Sequence, residues 1–210
     1  SKLPKWQDLK ASSLKVQRGK LLVGLSNGGA AAYDLASMKP LAATSTGGGT
    51  ATRDVLWENN RMWWVAGNGQ VLYVASANQK VPTPINLAPS GFTQKPQRLM
   101  VWQGKVFLQG ESQIRVIDPK SYKVELPEAV LPSDVASAIQ QGTILSNWLT
   151  KRNGEGEGQM VVVRRYGRRN SDSAGKRDIA SLTGWVSDGK NIRSLGTYTR
   201  SLVDFKPAEG

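Results

Sequence analysis

The feature that most constrains this chain is a unit that recurs along it: an apolar strand, a polar turn ending in Gly or Asn, and a second apolar strand. The clearest copy is residues 99–110, LMVWQGKVFLQG, with Gly104 and Lys105 at the turn. Residues 14–25, LKVQRGKLLVGL, carry the same pair as Gly19 and Lys20, and residues 54–67, DVLWENNRMWWVAG, put Asn60 and Arg61 in that place. Weaker copies follow around Gly142, in residues 137–145, and around Gly189, in residues 184–192. Short apolar runs separated by residues that tolerate a positive φ are the signature of β-hairpins. Taking Gly19, Asn60, Gly104, Gly142 and Gly189 as equivalent, the successive spacings are 41, 44, 38 and 47 residues.

Four strands of about five residues, with their turns, fill roughly 40–50 residues, the length of one propeller blade. A helical repeat of this length would need apolar residues at a 3.6-residue period, and the copies lack it. The pattern therefore predicts an all-β, β-propeller-like chain of four to five four-stranded blades of about 42 residues, closed or partial. It predicts a single domain over residues 1–210, with a basic insertion at 151–178 inside the fourth repeat. The copy around Gly189 is either a fifth blade or the outer hairpin of the fourth. The 22 glycines and 10 prolines suit many short strands joined by tight turns. A second match supports the repeat: Asp34-x-x-Ser37-x-Lys39 and Asp118-x-x-Ser121-x-Lys123 follow Gly19 and Gly104 by 15 and 14 residues. An Asp there is expected to close an Asx-type turn.

With these residues in place, the stretch GKLLVGLSNGGAAAYDLASMKPL, residues 19–41, resembles the repeat of the PQQ-type quinoprotein propellers, whose blades run from a Gly-Lys strand through a turn to a strand ending Tyr-Asp-Leu-x-Thr-Gly-Lys. The copy from Gly104 shares the likeness, and the copy from Asn60 shares it in part. What is resembled is the repeat and not the enzyme, because the tryptophan-docking positions of the dehydrogenases are not evident and the chain is too short for their eight blades. Non-catalytic members of that group serve as scaffolds in larger assemblies, including outer-membrane protein assembly. The resemblance implies such a scaffold, with protein partners in a larger, membrane-associated complex and no cofactor.

Composition narrows the chemistry. The chain has no Cys, which excludes disulfides, thiolate metal sites and cysteine nucleophiles, and no His, which excludes a Ser-His-Asp triad and removes the commonest metal ligand. No apolar run approaches the about 20 residues that span a bilayer as a helix. A first residue Ser1 rather than Met fits a mature exported chain, a trimmed one or simple Met removal alike; a periplasmic or extracellular location is expected, with a cytoplasmic one as the alternative. The formal charge of +12 and pI near 10.1 call for a negatively charged partner, whether an acidic protein surface, an anionic membrane or, less favoured, nucleic acid.

Two short segments carry most of the excess charge. Residues 151–177 hold Lys151, Arg152, Arg164, Arg165, Arg168, Arg169, Lys176 and Arg177 against three acidic residues; residues 1–20 hold six basic residues, among them Lys2, Lys5 and Lys10, against one. These are the candidate partner-binding residues, since arginine forks match phosphates and carboxylates; the bland alternative is a solvated hairpin that aids solubility. Residues 168–178 are polar enough to be expected as a loop. Trp57, Trp63, Trp64, Trp102, Trp148 and Trp185 are expected to fill space between blades, with a stacking platform as the alternative. Asp34 and Asp118 recur and are therefore expected to be structural. No residue is assigned to catalysis or to a metal. The expected function is a non-catalytic binding scaffold, with a polyanion-binding propeller and a sugar- or cofactor-active propeller enzyme as alternatives.

Overall fold

The computed structural model describes residues 10–44, 49–66, 69–77, 79–102, 104–110, 113–133, 136, 143–144, 159–169, 177–187 and 192–201. The chain is all-β and divides into two compact units, Ser1–Ala129 and Val130–Gly210. Its sheets are four-stranded antiparallel meanders, in which each strand pairs with the one before it in sequence. This is the topology of a propeller blade, and four such sheets are present among the described residues.

The first unit contains three of them. The first sheet is β1 (Ala11–Gln17), β2 (Lys20–Leu25), β3 (Ala30–Asp34) and β4 (Pro40–Thr44). The second is β5 (Thr52–Glu58), β6 (Arg61–Ala66), β7 (Val71–Ser76) and β8 (Thr83–Asn86). The third is β9 (Arg98–Trp102), β10 (Lys105–Gln109), β11 (Ile114–Ile117) and β12 (Val124–Glu125). Each opens with the recurring hairpin. Arg18 and Gly19 have φ of 47° and 71°, and Asn59 and Asn60 have 51° and 55°: two consecutive left-handed residues twist in the same sense as the flanking strands. Gly104 holds the matching conformation at 69°. Asn60 replaces glycine because Asn is among the side chains least penalised there.

The second sheet is buried on both faces, and the alternation of its side chains explains how. Val55, Trp57, Met62, Trp64 and Ala75 join Leu22, Ala30, Ala32 and Ala42 of the first sheet in one core. Leu56, Trp63, Val65, Leu72, Val74 and Ile85 point the other way and form a second core with Leu99, Val106, Leu108 and Ile117 of the third sheet. Adjacent tryptophans on β6 thus serve different cores. Trp63 and Trp64 are both fully buried, and at about 25 cal/mol per Å² their rings dominate the burial energy of the sheet. Small residues on the first sheet leave room for Trp64, whose Nε1 donates to the Gly28 carbonyl at 3.0 Å and whose ring stacks on Tyr73.

The second unit contains the fourth sheet: β13 (Thr143–Ile144), β14 (Gln159–Arg169), β15 (Arg177–Ser187) and β16 (Ile192–Ser201). Here one alternative is decided and one reading needs correction. Of the two readings of the copy around Gly189, the sheet order favours the outer hairpin of the fourth unit, since the strands on either side of it, β15 and β16, pair with one another in this sheet. The strand after Gly142 is the first of its sheet, whereas the strands after Gly19, Asn60 and Gly104 are the second, so the turn spacing does not continue into this unit; Gly142 and Gly189 themselves lie outside the described residues. Of the loop expected at 168–178, Arg168 and Arg169 belong to the end of β14 and Arg177 and Asp178 to the start of β15, with Arg168 paired to Asp178 and Arg169 to Arg177; residues 170–176 lie outside the described residues.

Candidate functional site

The recurring aspartates close turns. Asp34 Oδ1 accepts from the Ser37 N–H at 2.8 Å and from its hydroxyl at 2.7 Å; Asp118 Oδ1 accepts from the N–H groups of Lys120 and Ser121 at 2.8 and 2.9 Å. In both copies the Asp N–H then donates to the carbonyl five residues on, Lys39 or Lys123. The hydrogen bond from Ser37 holds the Asp34 carboxyl below its usual range, and the Lys105 ammonium, followed by the turn N–H groups, does so more strongly for Asp118. Lys105 is the lysine of the Gly-Lys turn, so the two halves of the repeat motif meet as an ion pair in the third sheet.

A second polar system joins the sheets through their first strands. Asp54 on β5 accepts from Lys15 Nζ on β1 at 2.8 Å, and its Oδ2 accepts from the Leu99 N–H on β9 at 2.8 Å. Gln17 on β1 exchanges two hydrogen bonds with the Trp57 backbone, at 2.9 and 3.0 Å, and Arg18 pairs with Glu58 at 3.1 Å. Arg61 Nη1 donates to the Pro119 carbonyl at 2.9 Å and lies 5.3 Å from the Tyr122 ring centroid. Arg115 is buried on β11. It donates from Nε to the Ser90 carbonyl at 3.0 Å and from Nη1 to the Ile114 carbonyl at 2.7 Å, pinning the 3₁₀ turn at Ala88–Ser90 that follows the second sheet. Burial pushes its pKa down, opposed by the charge of Glu128. Sequence reading missed Asp54 and Arg115 as organising residues; neither belongs to a copy-to-copy match.

The candidate partner-binding residues fall into two groups. Lys10 is exposed and precedes β1, where its carbonyl accepts from the Ser26 N–H at 2.8 Å. Lys2, Lys5, Lys151, Arg152 and Lys176 lie outside the described residues, as does Trp148. Arg164, Arg165, Arg168 and Arg169 take four of the last six positions of β14, and Arg177 opens β15 directly opposite Arg169. The fold therefore brings five of the eight candidates from 151–177 to one end of a single hairpin. The strands of that hairpin are eleven residues long, against four to seven for the strands of the first two sheets.

No group of three or more metal-ligating side chains occurs among the described residues, and no helix among them is long and apolar enough to cross a membrane. Compared with known proteins, the sequence matches no family model and no curated sequence. Solved structures with a similar fold include the Cps50 (Swd1) β-propeller domain of Myceliophteria thermophila, at 10% identity and a TM-score of 0.47, over 92% of this chain and 73% of that one. Another is a chain of the mitotic checkpoint complex, at 10% identity and 0.48, over 91% and 68%. A third is the extracellular domain of a two-component system protein from B. thetaiotaomicron, at 12% identity and 0.45, over 89% and 30%. The assignment of the sheets as propeller-type blades rests on their meander order and on the packing of the second sheet between the first and third.

Proposed function

We propose that the chain is a non-catalytic scaffold of the PQQ-like repeat type that docks a protein assembly, membrane-associated and periplasmic or extracellular, through its basic segments. One observation carries this reading. The acidic side chains that the first unit repeats or shares between sheets, Asp34, Asp54, Glu58 and Asp118, are committed to turns and inter-sheet ion pairs, while the basic residues cluster at one end of the fourth sheet. A framework that commits these carboxylates to turns and ion pairs and gathers arginines elsewhere suits binding to an acidic partner.

Crosslinking in the native host followed by affinity purification tests it. The expected result is a defined partner whose capture weakens with salt and falls when Arg165 and Arg169 are changed to Glu. Recovery of no partner, or of one indifferent to both salt and charge reversal, overturns it.

A further inference from the structure

The register of the fourth sheet sorts its arginines and tyrosines by face. Residues directly opposite one another in an antiparallel pair share a face, and alternate residues along a strand return to it. One row joins Arg164, Leu182 and Tyr198; the next joins Tyr166, Ala180 and Arg200; the third pairs Arg168 with Asp178. Arginine and tyrosine therefore alternate on one face, down β14 and, in opposite phase, on β16, flanking a column of Leu182 and Ala180 on β15. Rows on a face lie about 7 Å apart along the strands, and β14 and β16 lie about 10 Å apart across the sheet.

The intervening rows, on the other face, join Arg165, Ser181 and Thr199, then Gly167, Ile179 and Ser201, then Arg169 and Arg177. Both faces of this end thus hold charge, whereas the second sheet is apolar where it packs on both sides. Arg169 directly opposes Arg177, a like-charge cross-strand pair that costs stability unless an anion lies near it.

We propose that the face bearing Arg164, Tyr166, Arg168, Tyr198 and Arg200 binds single-stranded nucleic acid, with the arginines as phosphate partners and the tyrosines as stacking partners for bases. The alternation decides between partners. A carboxylate-rich peptide or an anionic lipid surface is satisfied by the arginines alone, but a single strand presents charge and unpaired ring faces at alternating positions, and rings interleaved with guanidinium groups match both. A duplex hides its ring faces in the stack and gains nothing from the tyrosines. Asp178 opposes Arg168 and offsets one charge, leaving Arg164 and Arg200 as the principal phosphate partners. This activity goes beyond the scaffold reading and does not depend on it.

The test is fluorescence anisotropy of a labelled 20-residue oligothymidylate with the full chain. With two principal phosphate contacts, affinity is expected to fall roughly sevenfold between 50 and 200 mM salt. Tyr166→Leu and Tyr198→Leu, which leave the charge unchanged, are each expected to weaken binding about tenfold without altering that salt dependence. Arg164→Gln with Arg200→Gln is expected to weaken binding and flatten the salt dependence. Competition on the unaltered protein needs no variant to fold: unlabelled oligothymidylate should displace the probe well below the concentrations of polyglutamate or of phosphatidylserine vesicles required. No binding at 50 mM salt overturns the proposal. So does indifference to both tyrosine changes, or equally effective competition by polyglutamate or vesicles, which would identify a general anion surface and leave the search for a protein partner untouched.

Discussion

Met38 and Tyr122 occupy the same place in two copies of one turn, and both are held in the left-handed region, with φ of 53° and 61°. A side chain on a residue with such a φ imposes a conformational cost of about 1–2 kcal/mol. What each returns differs. Met38 is more than half exposed, while Tyr122 meets Trp63 edge-on at 5.8 Å and takes the Arg61 guanidinium over its ring. Met38→Gly should therefore raise unfolding stability in urea by about 0.5–1 kcal/mol, after the unfolded-state entropy of glycine is subtracted. Tyr122→Gly should lower it by about 2 kcal/mol, since the ring contacts outweigh the relief. At the same turn, the folded Asp118 carboxyl lies below its unfolded value because of Lys105, so it stabilises the fold above the ordinary carboxylate range and ceases to do so as pH falls through its depressed folded value. Thermal melting of Asp118→Asn should accordingly lose less between pH 6 and pH 3 than that of the parent.

At the scale of elements, the hairpins were legible and their neighbours were not. Turn chemistry is local: Gly19, Asn60 and Gly104 mark their hairpins because a positive φ is demanded within two residues of the strand ends, and the spacing then implies the blade. Gly24 carries no such mark. It lies opposite Ser13 and against Thr52, where an added Cβ would sit 2.3 Å from the Ser13 hydroxyl and 2.8 Å from the Thr52 methyl, and only the packing of β1 and β2 on β5 reveals that need. Asp54 was invisible for the same reason, because its partners lie 39 and 45 residues away. Asp54→Ala should cost about 3 kcal/mol in chemical denaturation, as a charge-assisted acceptor is lost from both Lys15 and the Leu99 N–H. Lys15→Met should cost clearly less, because the Leu99 bond survives. Equal losses would mean that Asp54 serves only the ion pair. The fourth sheet defeated the reading differently: β14 and β15 are about twice as long as a blade strand, and each takes in two residues at one end of the polar run from Arg168 to Asp178.

For the whole molecule, the asymmetry of the core shared by the first two sheets sets an order of events. The first sheet contributes Leu22 and three alanines to it, while Trp57, Met62 and Trp64 arrive with β5 and β6. During synthesis, a chain that has emerged only as far as Thr44 has the first sheet's share of this core and none of the second's, and isolated sheets of this size gain little without a packed face. The first blade must wait for the second, and protection from protease should appear in ribosome-arrested chains only once Ala66 is exposed, not at Thr44. A nascent chain of this design passes through a window of some twenty residues in which its earliest strands are made but unguarded, the interval in which a chaperone has most to do.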